Sequence, residues 1–222
     1  MKDFSEKELV GKLDKILKKE FGTNLAFHEF SAGYGIADLV FAPNYSFKKS
    51  SISRTPITDF SGLSLLLSLE DDKKYDQNDI YDLFPQLSQK EVYRLLHSLV
   101  SNKYLELSGK EIYRKLPSIS PLNPIKKVIA IEVKLKDHKH GLIQARRYQY
   151  FADESYLAIL KEAKHNINFE EFNKHNIGII LFDSKTNDIE VIHPQPTNCQ
   201  FQNNVSIFAK EMMLSQSLNF FS

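Results

Sequence analysis

The sequence predicts an α/β protein whose fold is interrupted by a separate, mainly helical module. Two segments, residues 36–42 and 126–136, are rich in Ile and Val, a composition that favours β-strands. Between them, residues 60–116 carry many leucines at helical spacing. Because predicted strands stand on both sides of the leucine-rich stretch, we expect that stretch to be an insertion into an α/β core.

Two polar, proline-containing stretches mark the ends of the insertion. They span residues 43–56 and 117–124, and their composition is typical of linkers. The predicted domains are therefore a discontinuous core, residues 1–55 and 117–222, and an inserted domain, residues 56–116.

The overall composition is that of a globular protein. Apolar residues make up 42% of the 222 residues and charged residues 26%, which suits a packed domain. No apolar run is long enough to span a membrane, and the N-terminus lacks the apolar stretch of a secretory signal. The single cysteine, Cys199, excludes an internal disulfide framework and a cysteine-built zinc site. We expect a cytoplasmic protein without a membrane partner.

The predicted core begins with one helix and two strands. Apolar residues recur at helical spacing over residues 5–20, and Ser5 with Glu8 fits a capping box at the start. Strands are predicted at 25–32 and 36–42, joined by a glycine-containing turn.

The inserted module is predicted to contain three helices and a hairpin. A leucine-rich helix starts near residue 60, and further helices are predicted at 78–84 and 88–101, before a hairpin over 104–114. This order resembles a winged helix-turn-helix domain, whose third helix enters the DNA major groove. The resemblance implies nucleic-acid contacts from helix residues Lys90, Tyr93, Arg94 and His97, with Lys110, Arg114 and Lys115 added by the hairpin. Because acidic residues outnumber basic ones in this module, a protein partner stays an alternative to DNA.

Alternating strand and helix patterns continue after the insertion. The sequence predicts a strand at 126–136, a helix at 141–152, a strand at 156–160, a helical segment at 162–172, paired strands at 177–182 and 189–192, and a terminal helix. The net charge is only +1, but residues 126–147 are strongly basic, so a polyanion is expected to bind there.

Asp38 is the only charged residue in an otherwise apolar predicted strand. Burial of an unpaired carboxylate costs several kcal/mol, so Asp38 needs a metal ion or a buried base. The alternative is a hydrogen-bonded aspartate near the end of the strand.

Glu132 and Lys134 are two residues apart in the strongest predicted strand and therefore share one face. Carboxylates are the ligands that Mg²⁺ prefers, and an ammonium group beside the metal stabilises charge that develops during phosphodiester cleavage. The alternative is an exposed ion pair on an edge strand, which contributes about 0–1 kcal/mol.

Gln144 and Tyr148 lie one helical turn apart on the helix that follows. Arg146 and Arg147 lie elsewhere on that helix, where they can reach phosphates. The alternative is an ordinary amphipathic helix that has Tyr148 in the core and Gln144 in solvent.

Together, the order and spacing of these motifs resemble the PD-(D/E)XK nuclease superfamily and its RecB-like branch, which carries Gln-x-x-x-Tyr. The resemblance covers about a third of the chain. It implies a restriction-endonuclease-like mixed sheet flanked by helices and a requirement for Mg²⁺ or Mn²⁺. It further implies metal ligands at Asp38, Glu132 and the Val133 carbonyl, and catalytic roles for Lys134 and Gln144. The nucleic-acid contacts expected beside this site are Lys136, Arg146, Arg147 and Tyr148.

The sequence departs from the family pattern in the long separation of Asp38 from Glu132, which the insertion accounts for. Some members add a glutamate from the first helix, and Glu6, Glu8 and Glu20 are all candidates. The expected function is Mg²⁺-dependent cleavage of DNA. A homodimer is compatible with this function. The alternatives are a non-catalytic DNA-binding or regulatory protein that keeps the nuclease fold, or a subunit of a larger defence or repair assembly.

Overall fold

The structure is a computed structural model, and it describes residues 5–45, 54–116, 123–195 and 203–220. Much of both predicted linkers and Cys199 lie outside the described residues.

Nine strands and seven α-helices occur within these ranges. In chain order they are α1 (Glu6–Glu20), β1 (Ala26–Ser31), β2 (Ile36–Phe41), α2 (Phe60–Ser68), β3 (Lys74–Asp76), α3 (Gln77–Leu83), α4 (Gln89–Ser101), β4 (Leu105–Gly109), β5 (Ile112–Lys115), β6 (Ile129–Lys134), α5 (His138–Tyr148), β7 (Glu154–Leu160), α6 (Phe169–Lys174), β8 (Gly178–Phe182), β9 (Ile189–Ile192) and α7 (Asn204–Phe220). A 3₁₀ helix, Lys161–Asn166, precedes α6. Over the described residues, none of the helices combines the length and apolar character needed to cross a membrane.

The chain forms two compact units. The first consists of Met1–Phe47 and Pro124–Met213, and the second of Lys48–Asn123 and Leu214–Ser222. The second unit interrupts the first, and the final residues of the chain group with the second unit.

The first unit is built on a six-stranded sheet in the order β1-β2-β6-β7-β8-β9. The pairs β6–β7 and β7–β8 are parallel, while β1–β2, β2–β6 and β8–β9 are antiparallel. The sheet is therefore mixed. Helices flank it, which confirms the predicted α/β class.

Opposite faces of this sheet are covered by different helices. Leucines of α1, such as Leu13, pack with Leu39 and Ile131 in one buried cluster. On the other face, Leu142 of α5 packs with Leu157 of β7, together with the 3₁₀ helix and α6. Because side chains alternate along a strand, residues of β2 and β6 that do not face α1 lie on the α5 side.

The first helix begins where the sequence predicts. Ser5 Oγ accepts a hydrogen bond from the Glu8 N–H, and the Glu8 carboxylate accepts one from the Ser5 N–H at 2.8 Å. This capping box satisfies two amide groups that have no partner within the helix. Helix α1 and strands β1 and β2 agree with their predicted ranges to within one residue at each end.

Helix α5 begins three residues before the predicted start and ends at Tyr148 rather than at residue 152. The early start has a local cause, since the Asp137 carboxylate accepts a hydrogen bond from the His140 N–H at 3.1 Å and caps the helix. Strand β6 is also shorter than the predicted strand, because its pairing with β7 covers only Ile129 to Lys134.

The second unit combines α2, α3 and α4 with a three-stranded antiparallel sheet in the order β3-β5-β4. Buried side chains of α2 and α4, including Leu63, Leu66, Val92 and Leu96, supply its apolar interior. Strand β3 is not predicted by the sequence pattern, because Tyr75 is its only apolar residue.

Two hairpin cations predicted to face nucleic acid are engaged within the second unit instead. The Lys115 amine is buried, donates to the Leu69 carbonyl at 2.8 Å and pairs with Asp71 at 2.8 Å. Arg114 pairs with Glu106 at 2.6 Å. The expectation that Lys115 contacts a phosphate is therefore wrong, since its charge is already compensated in the interior.

The contact between β7 and β8 gives a stability prediction. A Cβ atom at Gly178 would lie 2.3 Å from ring atoms of Tyr156. That ring is fully buried, and its hydroxyl is hydrogen-bonded to Glu154 at 2.9 Å, so it has little room to move. We expect Gly178→Ala to lower the free energy of unfolding by about 1–3 kcal/mol, as overpacked cores do. Urea unfolding measures this change.

Gly11→Ala is the matched control. A Cβ atom at Gly11, on the exposed side of α1, meets no atom within 4 Å. This substitution should raise the free energy of unfolding by about 0.5–1 kcal/mol through helix propensity. A Gly178→Ala protein as stable as the parent would contradict the proposed steric clash.

Candidate active site

The acidic residues and the lysine selected from the sequence meet on one face of the sheet. Strands β2 and β6 pair with Leu39 opposite Ile131, so one further step places Asp38 beside Glu132. Leu39 and Ile131 belong to the cluster on the α1 side. Since side chains alternate, Asp38, Glu132 and Lys134 share the opposite face, which α5 covers.

Glu132 is buried, with only 1% of its surface exposed. Its Oε1 atom lies 2.5 Å from the Lys134 amine, whose side chain is 17% exposed. Its Oε2 atom accepts a hydrogen bond from the Tyr148 hydroxyl. The alternative of an exposed Glu–Lys pair on an edge strand is therefore wrong, because β6 lies inside the sheet and the carboxylate is enclosed.

Asp38 is half-buried and is tied to the same strand. Its Oδ2 atom accepts a hydrogen bond from the Val133 N–H at 2.7 Å. The N–H and carbonyl of a strand residue point to the same neighbour, so the Val133 carbonyl also faces the β2 side. The alternative of a hydrogen-bonded aspartate is therefore correct, and Lys134 is a cation that acts on the same carboxylate by lowering its pKa.

Tyr148 links α5 to strands β2 and β6, which carry Asp38 and Glu132. Besides its contact with Glu132, its hydroxyl lies 2.7 Å from the Ile36 carbonyl oxygen. A tyrosine hydroxyl has one proton and cannot fully donate to two acceptors, so Glu132 and Ile36 compete for it. The side chain is 1% exposed. The expectation that Tyr148 contacts nucleic acid is therefore wrong, and it positions Glu132 from within the core.

Gln144 lies one turn before Tyr148, and its Oε1 atom is buried without a hydrogen-bond partner within the described residues. A fully solvated Gln144 is therefore excluded. Buried acceptors normally have a donor or a cation beside them, so this amide oxygen is a second group, after the acidic pair, that is suited to a bound water or ion.

The ionisation of the three groups is coupled. Burial raises the pKa of Asp38 and of Glu132, and the neighbouring carboxylate adds to the increase for Glu132, while Lys134 opposes it. Burial alone favours a neutral amine, but the hydrogen bond to Glu132 raises the pKa of Lys134 overall. Two carboxyl groups thus face one ammonium group.

Of the three glutamates of the first helix, Glu6 is the one beside this site. Its carboxylate accepts a hydrogen bond from the Leu135 N–H at 3.3 Å and contributes to the raised pKa of Asp38. Glu8 belongs to the capping box, and Glu20 is at the other end of α1. Over the described ranges, no three His, Cys, Asp or Glu side chains are grouped closely enough to hold a metal ion by themselves.

The oxygen donors at this site nevertheless fit a hard divalent cation. Mg²⁺ is commonly held by one or two carboxylates and keeps several waters, so it does not require a third acidic side chain. Asp38 and Glu132 can supply the carboxylates, and the Gln144 oxygen can accept from a coordinated water. A cation here would also offset the repulsion between the Asp38 and Glu132 carboxylates.

The predicted basic contacts of the first unit lie on its surface. Lys136 is exposed just after β6, and Arg146 and Arg147 are exposed on α5. In the part of the chain that the structure describes, neither arginine forms an ion pair with an acidic side chain. These guanidinium groups are therefore open to an anion.

In the second unit, the four α4 residues selected from the sequence are all exposed. Tyr93 is 55% exposed, and its ring lies 6.4 Å from that of His97. Arg94 forms an exposed ion pair with Asp59 at 2.9 Å, and Lys90 occupies the first turn. Their spacing places them on one helix surface.

Two residues near the site were not selected from the sequence. Tyr34, between the turn glycines, stacks on Tyr150, just beyond α5. The position of Tyr150 one turn beyond Arg146 and Arg147 is the one sequence signal that points to it.

No protein-family model, curated protein or solved structure matches this chain. The arrangement of Asp38, Glu132 and Lys134, with the side chains of α5 around them, is therefore what indicates a function.

Proposed function

We propose that this chain is a metal-dependent nuclease of the PD-(D/E)XK type, which hydrolyses phosphodiester bonds in DNA. The observation that carries the proposal is the convergence of Asp38 with the Glu132-Val133-Lys134 segment. Asp38 and Val133 are 95 residues apart in the chain and are joined by a 2.7 Å hydrogen bond. A buried acidic pair with a lysine beside it is costly to fold, and its placement suits a catalytic task.

In this proposal, Asp38 and Glu132 hold Mg²⁺ or Mn²⁺, with the Val133 carbonyl completing the protein ligands. The metal, when bound, lowers the pKa of a water molecule and polarises the scissile phosphate. Gln144 orients a water through its buried amide oxygen. Tyr148 fixes the rotamer of Glu132 through the hydrogen bond to Oε2.

Lys134 contributes the positive charge of the protein. The hydrogen bond with Glu132 keeps its pKa raised, so the amine is protonated at neutral pH. A protonated amine beside the reacting phosphate donates hydrogen bonds to it and offsets negative charge that develops in the transition state. Its buried position strengthens this interaction, because fewer waters screen it.

The sheet of the first unit supports the restriction-endonuclease-like assignment, since it is mixed and has helices on both faces. In the second unit, three helices and a three-stranded sheet are compatible with a winged helix. Its α4 would then place the substrate through Lys90, Tyr93, Arg94 and His97. Because acidic residues outnumber basic ones over residues 56–116, a protein that binds the exposed surface of α4 is the alternative to DNA.

One observation favours a second candidate, a DNA-binding or regulatory protein that keeps the fold without cleavage. Both oxygens of Glu132 are already engaged, one by Lys134 and one by Tyr148. A metal ion must therefore compete with two protein groups for this carboxylate. Calorimetric titration of the protein with Mn²⁺ separates the candidates, because the regulatory protein predicts no binding at millimolar metal.

Metal dependence of cleavage is the direct test. We expect the purified chain to cut DNA with Mg²⁺ or Mn²⁺ and to lose all cutting in excess EDTA, because both carboxylates then lack the cation that activates water. Gel analysis of labelled single-stranded and duplex DNA measures the products. Cutting that continues unchanged in EDTA would exclude the proposed chemistry.

A further inference from the structure

The outer face of α5, the helix that carries Gln144 and Tyr148, forms an exposed surface. Arg146 and Arg147 lie three and four residues after Ile143 and four and three residues before Tyr150, and all four are exposed. Together with Gln149 they line a groove of about 480 Å³. Clefts of roughly 300–1,000 Å³ hold drug-sized molecules, and a nucleotide is of that size.

An aromatic stack stands at one side of this groove. The rings of Tyr34 and Tyr150 are parallel to within 20°, and their centroids are 4.6 Å apart. Yet 41% of Tyr34 and 55% of Tyr150 are exposed, so their stacking leaves much ring surface in water. Tyr34 is held in the β1–β2 turn, where Gly33 and Gly35 adopt positive φ angles of 95° and 111°.

The stack is fixed to the acidic site by short stretches of backbone. Tyr34 is two residues before Ile36, and Tyr150 is two residues after Tyr148. The Tyr148 hydroxyl contacts both the Ile36 carbonyl and Glu132. The bonds that position Glu132 therefore also position the two exposed rings.

We propose that Tyr34 and Tyr150 form a stacking platform for an unpaired base of a single DNA strand, while Arg146 and Arg147 bind the adjoining phosphates. The bases of a duplex already stack on each other and offer no free face to an external ring. Exposed aromatics combined with cationic side chains are typical of single-strand binding. The platform makes single-stranded DNA, or a single-stranded end, the substrate class, and in this sense it rests on the proposed nuclease function.

Ring-specific substitutions test the platform without any cleavage. Binding of a labelled single-stranded oligonucleotide and of a blunt duplex of the same sequence is measured by anisotropy in EDTA. We expect Tyr34→Leu and Tyr150→Leu each to weaken single-strand binding roughly tenfold, because one stacked base contributes that much. Tyr34→Phe and Tyr150→Phe keep the ring and should stay within about twofold of the parent. Duplex binding should change little in all four variants.

Leu83→Ala is the control for exposure, since Leu83 is also an exposed apolar side chain, 50% exposed, but belongs to the second unit. Its ratio of single-strand to duplex affinity should equal that of the parent. The chain has no tryptophan, so Tyr150→Trp introduces a single fluorophore, whose emission should be quenched by the single strand and not by the duplex. Absence of quenching, or equal losses for both DNAs in the Leu variants, overturns the platform.

The same samples with Mg²⁺ separate this inference from the proposed function. Tyrosine-dependent binding of the single strand without any cleavage retains the platform and removes the nuclease. Cleavage, together with single-strand binding that is unchanged in the variants of both tyrosines, retains the nuclease and removes the platform.

Discussion

Glu132→Gln should abolish cleavage without harming the fold. Removal of this carboxylate takes away a proposed metal ligand and the carboxylate partner of Lys134, so we expect the cleavage rate to fall on the order of 10³-fold or more. The amide keeps the shape of the side chain, because its oxygen can accept from the Lys134 amine while its NH2 group donates to the Tyr148 hydroxyl, which then donates to the Ile36 carbonyl. Single-turnover cleavage with saturating Mg²⁺ measures the loss.

The free energy of unfolding of the same variant should rise at neutral pH, although its cleavage rate falls. Burial raises the pKa of Glu132. A carboxyl with a raised pKa in the folded state stabilises the protein below its unfolded pKa and loses that contribution as pH rises through the folded pKa. Above the folded-state pKa of Glu132, the buried carboxylate therefore lowers the free energy of unfolding of the wild type. The neutral amide has no such effect. Urea unfolding at several pH values should show Glu132→Gln gaining on the wild type from about pH 4 upward.

Glu190→Gln is the matched control. Glu190 lies on β9 at the far edge of the sheet, where it is 43% exposed and pairs with Lys164 at 2.9 Å. It should cleave at the wild-type rate, because an exposed pair contributes little. Full activity in Glu132→Gln would remove the acidic site from the mechanism.

Lys134→Met should impair both cleavage and stability. Loss of one charged donor beside the reacting phosphate lowers rates by about 10²–10³-fold. The variant also leaves the Asp38 and Glu132 carboxylates facing each other without an ammonium group. Removal of one partner of a buried ion pair costs about 3 kcal/mol or more, so the free energy of unfolding should fall by that order near neutral pH.

The pH dependence identifies charge as the cause. The raised pKa of Lys134 means that its stabilising contribution is present below its ordinary pKa and is lost only as pH rises through the raised value. At the acid end, protonation of Asp38 and Glu132 removes the repulsion in the variant. Urea unfolding should therefore show a deficit at pH 7 that shrinks toward pH 4.

Lys185→Met, in the exposed β8–β9 turn, should show no such deficit. A Lys134→Met deficit that persists unchanged in acid would mean that packing of the alkyl chain, and not charge, is what Lys134 provides.

The sequence predicts the central part of the candidate site because each signal is local. Asp38 is the one charged residue of β2, and strand alternation places Glu132 and Lys134 of β6 on one face. The capping box of α1 likewise depends only on Ser5 and Glu8. These features follow from a few neighbouring residues, so one sequence suffices to find them.

Other features depend on contacts that are distant in sequence. The bond from Tyr148 to Glu132 and the burial of Lys115 against Leu69 arise only when separate elements pack. Strand β3 exists because Tyr75 pairs with Tyr113 of β5, and nothing in its own three residues requires a strand. The stack of Tyr34 on Tyr150 similarly joins a turn to a helix end.

Asp38 and Glu132 are synthesised at different times, because the inserted domain lies between them in the chain. Asp38 leaves the ribosome before the whole second unit, and its partner strand β6 follows about 95 residues later. At translation rates of about 5–20 residues per second, that interval lasts roughly 5–20 s. Throughout it, the nascent polypeptide carries only Asp38 of the proposed cation-binding pair, so the proposed cutting activity can appear only when translation is well advanced.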